Sequence, residues 1–346
     1  MAEAVVSYPG AKWRFYPHMV KYFPLDMKTF IEPFFGGGSV SLSVADDPRF
    51  TKLERMIGGD LYTEMWAFWN GIKKDPAAVE QIAIEWFRQS CPTHDIAVEN
   101  GATRELLVEY LENDDYLHSD ILSDADKQTI TEKKAIYKRA VEEAEAFWKW
   151  TQTVDCTQMS LEQRAARIIL VNKISFSGMG DSGSLSKDQF FNFRENKLKR
   201  VYETSKILND HDIQIYNVSF EETMKYGNED PENSFIFLDP PYFAQEGSGL
   251  YGKNGSTHHG FPHQAFADLT KSMKCKWFVT YDDSVAVRQL FSGLTVFGKP
   301  CCLKPFTIPG GYTMAGKTAE DALAGEELFI ANYDLDAETE IGTDDF

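Results

Sequence analysis

The segment Asp239-Pro240-Pro241-Tyr242 could hold an amino group that is attached to a planar ring. It follows the apolar run 236–238, which predicts a buried strand, and its two prolines end that strand because each has a fixed φ and lacks a backbone N–H. The carboxylate of Asp239 and the carbonyl of Pro240 can accept hydrogen bonds, and Tyr242 offers a flat face. This combination suits chemistry on an exocyclic base nitrogen, whose lone pair becomes nucleophilic only when acceptors hold its hydrogens. A strand followed by a proline turn is the alternative for the segment alone.

A second motif, Glu32-Pro33-Phe34-Phe35-Gly36-Gly37-Gly38-Ser39, joins a predicted strand over 29–34 to a predicted helix that begins at Ser39. Glycine lets the backbone approach a ligand closely, and the N-terminus of the following helix faces that ligand. The order of strand, glycine turn and helix is typical of a nucleotide-binding cradle, although many tight turns have similar sequences.

An acidic residue, Asp60, follows the next predicted strand, 55–59, about 20 residues after the glycine turn. In nucleotide-binding folds an acid at this position holds a ribose through its hydroxyl groups. A helix cap is the other interpretation, because residues 61–72 predict a helix, and Asp60 could serve both purposes.

Strands and helices alternate along most of the chain, which predicts an α/β fold with a mostly parallel sheet and helices on both faces. Further strands are predicted at 213–217, 236–238, 276–281, 295–302 and 327–333. The last two are joined without a helix between them, which favours an antiparallel edge.

Residues 76–158 differ in character and predict a helical insertion. Apolar side chains at helical spacing in 79–87 and 130–148 predict helices whose aromatic stripes belong to the core. The acidity of the chain is local: residues 75–165 hold 19 acidic and 9 basic residues, and the tail 334–346 holds 6 acidic and no basic ones. Together these segments account for most of the formal net charge of −18, and the tail is expected to be disordered.

Positive charge is concentrated in residues 187–206, which hold 6 basic and 3 acidic residues. They follow the glycine- and serine-rich segment 172–184, which predicts a loop or hairpin. A basic helix beside a polar loop favours contact with phosphates, and a solvated helix face is the alternative.

Several classes of protein are not expected. No apolar run approaches the roughly 20 residues of a membrane span, and we expect no signal peptide, so the predicted location is cytoplasmic. The five cysteines lack metal or redox spacing, which indicates reduced thiols. Three histidines (His258, His259 and His263) cluster without a carboxylate or cysteine at ligand spacing, so no metal site is expected.

Together these motifs resemble the Dam-type DNA adenine-N6 methyltransferases of the D12 class, in the order of their alpha group. The cofactor loop comes first, the recognition region lies in the middle, and Asp-Pro-Pro-Tyr comes late. The resemblance implies a Rossmann-like S-adenosylmethionine-dependent methyltransferase fold. It implies a catalytic domain of residues 1–75 and 213–333 and a DNA-recognition region over 159–212. The similarity also covers Pro9-Gly10-Ala11-Lys12, Gly59-Asp60, Leu170-Val171-Asn172, 176–178 and Glu327-Leu328-Phe329.

The resemblance also implies roles for individual residues. Asp239 and Pro240 would accept hydrogen bonds from the N6 amino group of an adenine rotated out of double-stranded DNA, and Tyr242 would stack on that base. S-adenosylmethionine would be bound by Tyr8, Gly10, Lys12, Glu32, Phe34, Gly36, Gly38, Ser39, Asp60 and Asp239. DNA would be contacted by Lys12, Arg14, Asn172, Ser177, Lys187, Arg194, Lys197, Lys199 and Arg200.

Two alternatives remain open at this point. The same pocket could methylate an RNA base or a protein glutamine, although related sites on such substrates often read Asn-Pro-Pro-Tyr, so Asp239 favours DNA adenine. A non-catalytic protein could instead use its acidity to mimic DNA. The loop 176–187 lacks the arginine-rich character of the family's DNA-contacting hairpin, so the target sequence stays open, as does a partner restriction endonuclease.

Overall fold

The structure is a computed structural model that describes residues 5–8, 10–13, 15–100, 123–243, 260–291, 295–296, 299–300, 302–307 and 326–335. The predicted DNA contact of Arg14, the histidines at 258 and 259, and most of the acidic tail lie outside these residues. Within the described ranges, none of the helices combines the length and the apolar composition that crossing a bilayer requires.

A seven-stranded sheet organises the chain, in the spatial order β3-β2-β1-β4-β5-β9-β8. The first five strands in that order are parallel, and β9 pairs antiparallel with both β5 and β8. The α/β prediction and the predicted antiparallel edge are therefore confirmed. The strands are β1 (Thr29–Glu32), β2 (Arg55–Gly59), β3 (Ile213–Tyr216), β4 (Ser234–Leu238), β5 (Lys276–Asp282), β6 (Thr295–Val296), β7 (Lys299–Pro300), β8 (Cys302–Thr307) and β9 (Glu326–Ala331).

The predicted strand over 295–302 is wrong. This stretch forms a short hairpin, in which β6 and β7 have two residues each. A separate strand, β8, begins at Cys302 and continues to Thr307. Because β6 and β7 pair antiparallel, with Thr295 opposite Pro300, the chain reverses within this stretch and cannot form one continuous strand. Pro305 is accommodated in β8 because that strand pairs with β9 alone and forms the edge of the sheet.

Helices cover both faces of the sheet and build the region between β2 and β3. The helices over 16–19, 94–99, 187–191 and 285–291 were not predicted. The longer helices fall on segments with a predicted helical pattern. The helices are α1 (Tyr16–Met19), α2 (Ser39–Ala45), α3 (Thr63–Lys74), α4 (Pro76–Ser90), α5 (His94–Glu99), α6 (Asp124–Thr153), α7 (Leu161–Ile174), α8 (Lys187–Phe191), α9 (Arg200–Asp210), α10 (Phe220–Met224), α11 (His263–Ser272) and α12 (Val285–Phe291).

One hydrophobic core joins a face of the sheet to the helical region. Phe30 and Phe235 from the sheet, Phe87 from α4 and Phe193 from the segment before α9 are fully or nearly buried in it. The aromatic stripes of the insertion therefore belong to the core, as predicted. The domain boundaries at 75, 158 and 212 stay a prediction, because these segments share that core.

Helix α7 runs through the middle of this core. Its N-terminus carries a capping box, in which the Ser160 hydroxyl accepts from the Gln163 backbone N–H and the Gln163 side-chain oxygen accepts from the Ser160 backbone N–H. Buried residues continue along most of the helix, including the polar Arg167 and Asn172. A helix buried on several sides can place polar side chains precisely, because neighbours hold it on each face.

Candidate functional site

The candidate site lies at the carboxyl ends of the parallel strands, where ligands bind in open α/β sheets. The loops after β1, β2 and β4 meet there and enclose a cavity of about 380 Å³, within the usual range for small-molecule sites. Most of the predicted cofactor and catalytic residues line it, namely Tyr8, Gly10, Lys12, Glu32, Phe34, Gly36, Ser39, Asp60, Asp239, Pro240 and Tyr242.

The glycine turn after β1 depends on two left-handed backbone positions, Gly36 with φ 44° and Gly38 with φ 64°. A Cβ on Gly36 would lie 2.8 Å from the Tyr8 ring, so glycine is required for space as well as for conformation. Gly38 caps α2, and a Cβ there would face Phe35 and Trp69 rather than the cavity. Gly38 therefore lies on the side of the turn that faces away from the cavity.

Asp60 fastens the glycine turn to the start of α3. Its carboxylate accepts from the backbone N–H of Gly36 at 2.8 Å and from that of Tyr62 at 2.7 Å. Asp60 is buried, and burial raises its pKa to about 6 although both hydrogen bonds oppose the shift. Asp60 thus binds the backbone of Tyr62, the residue before α3, and also lines the cavity.

Glu32, the last residue of β1, points its carboxylate at the first turns of α2. It accepts a hydrogen bond from the backbone N–H of Ser41 at 3.0 Å and another from the Ser41 hydroxyl. Burial raises the pKa of Glu32 to about 8, because the charged form loses its hydration. Ser39, at the N-terminus of α2, accepts from the backbone N–H of Lys12 and holds the N-terminal segment against the cradle.

Three donors converge on one oxygen of Asp239. The ammonium of Lys12 lies 3.0 Å from Oδ1, the Thr280 hydroxyl donates at 2.8 Å, and the Tyr242 hydroxyl lies at 3.3 Å. The Asp239 side chain keeps 20% of its exposure, whereas Lys12 keeps 5%. The carboxylate is thus fixed in orientation from three directions while one edge of it stays open to the cavity.

Glu327 is the second residue of β9 and is fully buried. No role in the site was predicted for its side chain. Its Oε1 accepts from the Tyr242 hydroxyl at 3.0 Å and lies 3.8 Å from the Lys12 ammonium. A buried carboxylate requires such partners, since desolvation otherwise penalises its charge heavily. The motif Glu327-Leu328-Phe329 marked this position, but only strand pairing shows that it reaches the site.

Tyr242 is more enclosed than its predicted stacking role suggests, with 7% of its surface exposed. Its ring lies under the Lys12 ammonium, 4.9 Å from ring centroid to Nζ, in a cation–π contact. Lys12, predicted to contact DNA as well as the cofactor, therefore lies in the buried cluster of Asp239, Tyr242 and Glu327 rather than on the surface.

The predicted DNA-binding residues fall into two groups. Asn172 is buried, and its side chain bonds Ser7 and the carbonyl of Gly178, so it holds the loop instead of facing solvent. Ser177 is exposed in that loop, with a left-handed φ of 53°. The basic residues Lys187, Arg194, Lys197, Lys199 and Arg200 are all exposed.

Comparison with known proteins decides the family. Residues 8–298 match the family described as D12 class N6 adenine-specific DNA methyltransferase. The chain belongs to this family. It is therefore an adenine-specific DNA methyltransferase, which confirms the resemblance.

A curated relative agrees with this assignment. The chain is 24% identical over 265 residues to the Type II methyltransferase M1.LlaDCHI of Lactococcus lactis subsp. cremoris, covering 75% of this chain and 71% of the relative. The description of the family favours DNA over an RNA base or a protein side chain as the methyl acceptor.

Proposed function

We propose that S-adenosylmethionine is the methyl donor and that it binds between the glycine turn and Asp60. The cavity fits this ligand in charge, since among the described residues the acidic Asp60, Glu221 and Asp239 line it with one basic residue, Lys12. A cavity with an excess of carboxyl groups suits a cationic sulfonium. When bound, the cofactor supplies an electrophilic methyl group.

Each part of this cavity matches a part of the cofactor. Asp60 is the acceptor for the ribose hydroxyl groups, and the backbone at Gly36, which lacks a Cβ, allows close approach of the methionine moiety. Phe34 provides an apolar wall, because it stacks on Phe220 with ring centroids 5.5 Å apart and meets Phe261 edge-on.

We also propose that Asp239 and the Pro240 carbonyl hold the N6 amino group of an adenine rotated out of double-stranded DNA. The convergence of Lys12, Thr280 and Tyr242 on Oδ1 carries this proposal, because it fixes the carboxylate before the base arrives. Asp239 then accepts the proton that N6 must release as the new N–C bond forms and the bond between sulfur and the methyl carbon breaks. The exposed basic residues from Lys187 to Arg200 form the face that contacts phosphates.

The test is transfer of label from methyl-labelled S-adenosylmethionine to a plasmid duplex, with heat-denatured DNA and total RNA as parallel acceptors. We expect label in the duplex and little in RNA. Label in RNA alone would contradict the proposed substrate, and binding without transfer to any acceptor would contradict the proposed role of Asp239.

A further inference from the structure

A buried ion pair holds the loop 176–183, which lies between α7 and α8. Arg167 of α7 bonds both carboxylate oxygens of Asp181, at 2.6 and 3.1 Å, and each side chain is only 4% exposed. The same guanidinium donates to the carbonyl of Thr151, near the end of α6, at 2.7 Å. Arg167 thus ties the loop to the insertion and to the core at once.

Tyr62 connects this pair to the cofactor cavity. Its backbone N–H donates to Asp60 at 2.7 Å, and its hydroxyl donates to Oδ2 of Asp181. The Tyr62 side chain lines the large cavity, and it also lines a neighbouring cavity of about 40 Å³ beside Asn172 and Gly178. One residue therefore touches the proposed ribose acceptor at one end and the loop at the other.

The loop depends on these few polar contacts for its position. Asn172 bonds the carbonyl of Gly178 at 2.7 Å, and the Ser175 hydroxyl accepts from the N–H of Gly180 at 3.0 Å. Gly178 and Gly180 have left-handed backbones, with φ of 67° and 58°. Because the loop is short of apolar anchors, loss of one buried hydrogen bond should shift its conformational equilibrium appreciably.

We propose that Tyr62 is a positioning residue that couples cofactor binding to DNA binding. A cofactor held on Asp60 fixes Tyr62, and Tyr62 through its hydroxyl fixes Asp181 and the loop that faces DNA; this inference rests on the proposed function of both sites. Because coupling between two binding sites is reciprocal, DNA must raise cofactor affinity by the same factor by which cofactor raises DNA affinity.

The substitution Tyr62→Phe isolates this role. It removes the hydroxyl contact with Asp181 but keeps the ring and the backbone N–H that Asp60 accepts. Glu64→Gln is a matched control: the Glu64–Arg164 pair, at 2.6 Å, also joins α3 to α7 but touches neither the loop nor the cavity. Each variant therefore removes one polar contact between the segment of Tyr62 and α3 and the segment of α7 and its following loop, and only Tyr62→Phe cuts the path to the loop.

The measurement is calorimetry of S-adenosylhomocysteine binding, without DNA and with a duplex that contains the mapped methylation site. In the wild type and in Glu64→Gln we expect DNA to tighten binding by a factor within about 5–150, the usual range of coupling. In Tyr62→Phe we expect that factor to fall close to 1; because the factor compares affinity with and without DNA in the same variant, a change in the affinity without DNA does not by itself alter it.

The inference is overturned if Tyr62→Phe keeps the coupling factor of the wild type, or if the wild type itself shows a factor of 1. Either result leaves the proposed function intact. Failure of the wild type to bind S-adenosylhomocysteine would instead overturn the proposed function. Hydrogen exchange provides a second readout: amides 178–183 of the wild type should be protected by S-adenosylhomocysteine alone. Unchanged exchange there would also count against the coupling.

Discussion

The hydroxyl of Tyr242 donates to the buried carboxylate of Glu327 at 3.0 Å, across 85 residues of sequence. A hydrogen bond to the antiparallel strand β9 therefore anchors the tyrosine of the Asp-Pro-Pro-Tyr segment. The Lys12 ammonium lies between Glu327 and Asp239 and compensates both charges. Catalysis and stability depend on the same few contacts at this position.

Tyr242→Phe removes the hydroxyl and leaves Glu327 with one donor fewer in a fully buried environment. We expect the free energy of unfolding to fall by about 1–3 kcal/mol, the usual consequence of leaving a buried polar group unsatisfied. Urea denaturation measures it. Tyr202→Phe, which removes an exposed hydroxyl contact with Glu80, should change stability by less than about 0.5 kcal/mol. Equal effects of the two substitutions would contradict the anchoring role.

Glu32 makes the stability depend on pH in a defined direction. Burial raises its pKa from 4.5 to about 8, so the folded protein retains a proton that the unfolded chain has released. The contribution of this group therefore lowers the free energy of unfolding as pH rises between these two values. Denaturation at pH 6, 7 and 8 should show this fall reduced in Glu32→Gln, which keeps an acceptor for Ser41.

The control for this prediction is Glu54→Gln, which alters a carboxylate whose side chain is 70% exposed. It should keep the wild-type dependence of stability on pH. Parallel curves for the wild type and Glu32→Gln would show that Glu32 is charged in the folded protein at neutral pH.

We expect cofactor binding to depend on the conformation of the glycine turn. Gly36→Ala places a Cβ 2.8 Å from the Tyr8 ring at a left-handed position, so the turn must move away from Asp60. We expect S-adenosylmethionine binding, measured by calorimetry, to weaken at least about tenfold, equivalent to about 1.4 kcal/mol. Gly227→Ala also places a Cβ too close to a neighbour, 2.6 Å from Ile236, but Gly227 does not line the cavity, so this control should leave the affinity unchanged. Similar losses in both variants would indicate general destabilisation.

Part of this site could be predicted because its motifs are local. A strand, a glycine turn and a helix are adjacent in sequence, and so are the strand and prolines around Asp239. Their joint position at one edge of the sheet then follows from parallel pairing.

Other contacts depend on pairing between distant segments and left no local signal. Thr280 reaches Asp239 because β5 pairs parallel with β4, with Val279 opposite Leu238. Glu327 reaches Tyr242 because β9 pairs antiparallel with β5, with Asp282 opposite Glu327. The contact of Tyr62 with Asp181 likewise requires that α3 pack on α7. The wrong strand at 295–302 has a similar cause, since an apolar run does not reveal which neighbour completes its hydrogen bonds.

The basic segment before and within α9 should set the dependence of DNA binding on salt. Replacing Lys197, Lys199 and Arg200 with Ala should weaken duplex binding and flatten the slope of log K against log salt by up to about 3, at about 0.9 for each phosphate contact. Fluorescence anisotropy over a salt series measures the slope. A control triple variant with the same change of charge, Lys133→Ala, Lys138→Ala and Arg139→Ala on the exposed face of α6, should keep the wild-type slope.

If the slope of the α9 variant also equals that of the wild type, the basic residues are only a solvated face. The DNA path would then have to be sought at another surface of the protein. Cofactor affinity should stay constant in both triple variants, because neither set lines the cavity.

The central claim is that Asp239 directs methyl transfer to N6 of adenine. Its most direct test is mass spectrometry of nucleosides from duplex DNA treated with S-adenosylmethionine and either the wild type or Asp239→Ala. We expect N6-methyldeoxyadenosine with the wild type and none above background with Asp239→Ala. The variant should still bind the cofactor. A methylated cytosine, or full N6 methylation by Asp239→Ala, would contradict it.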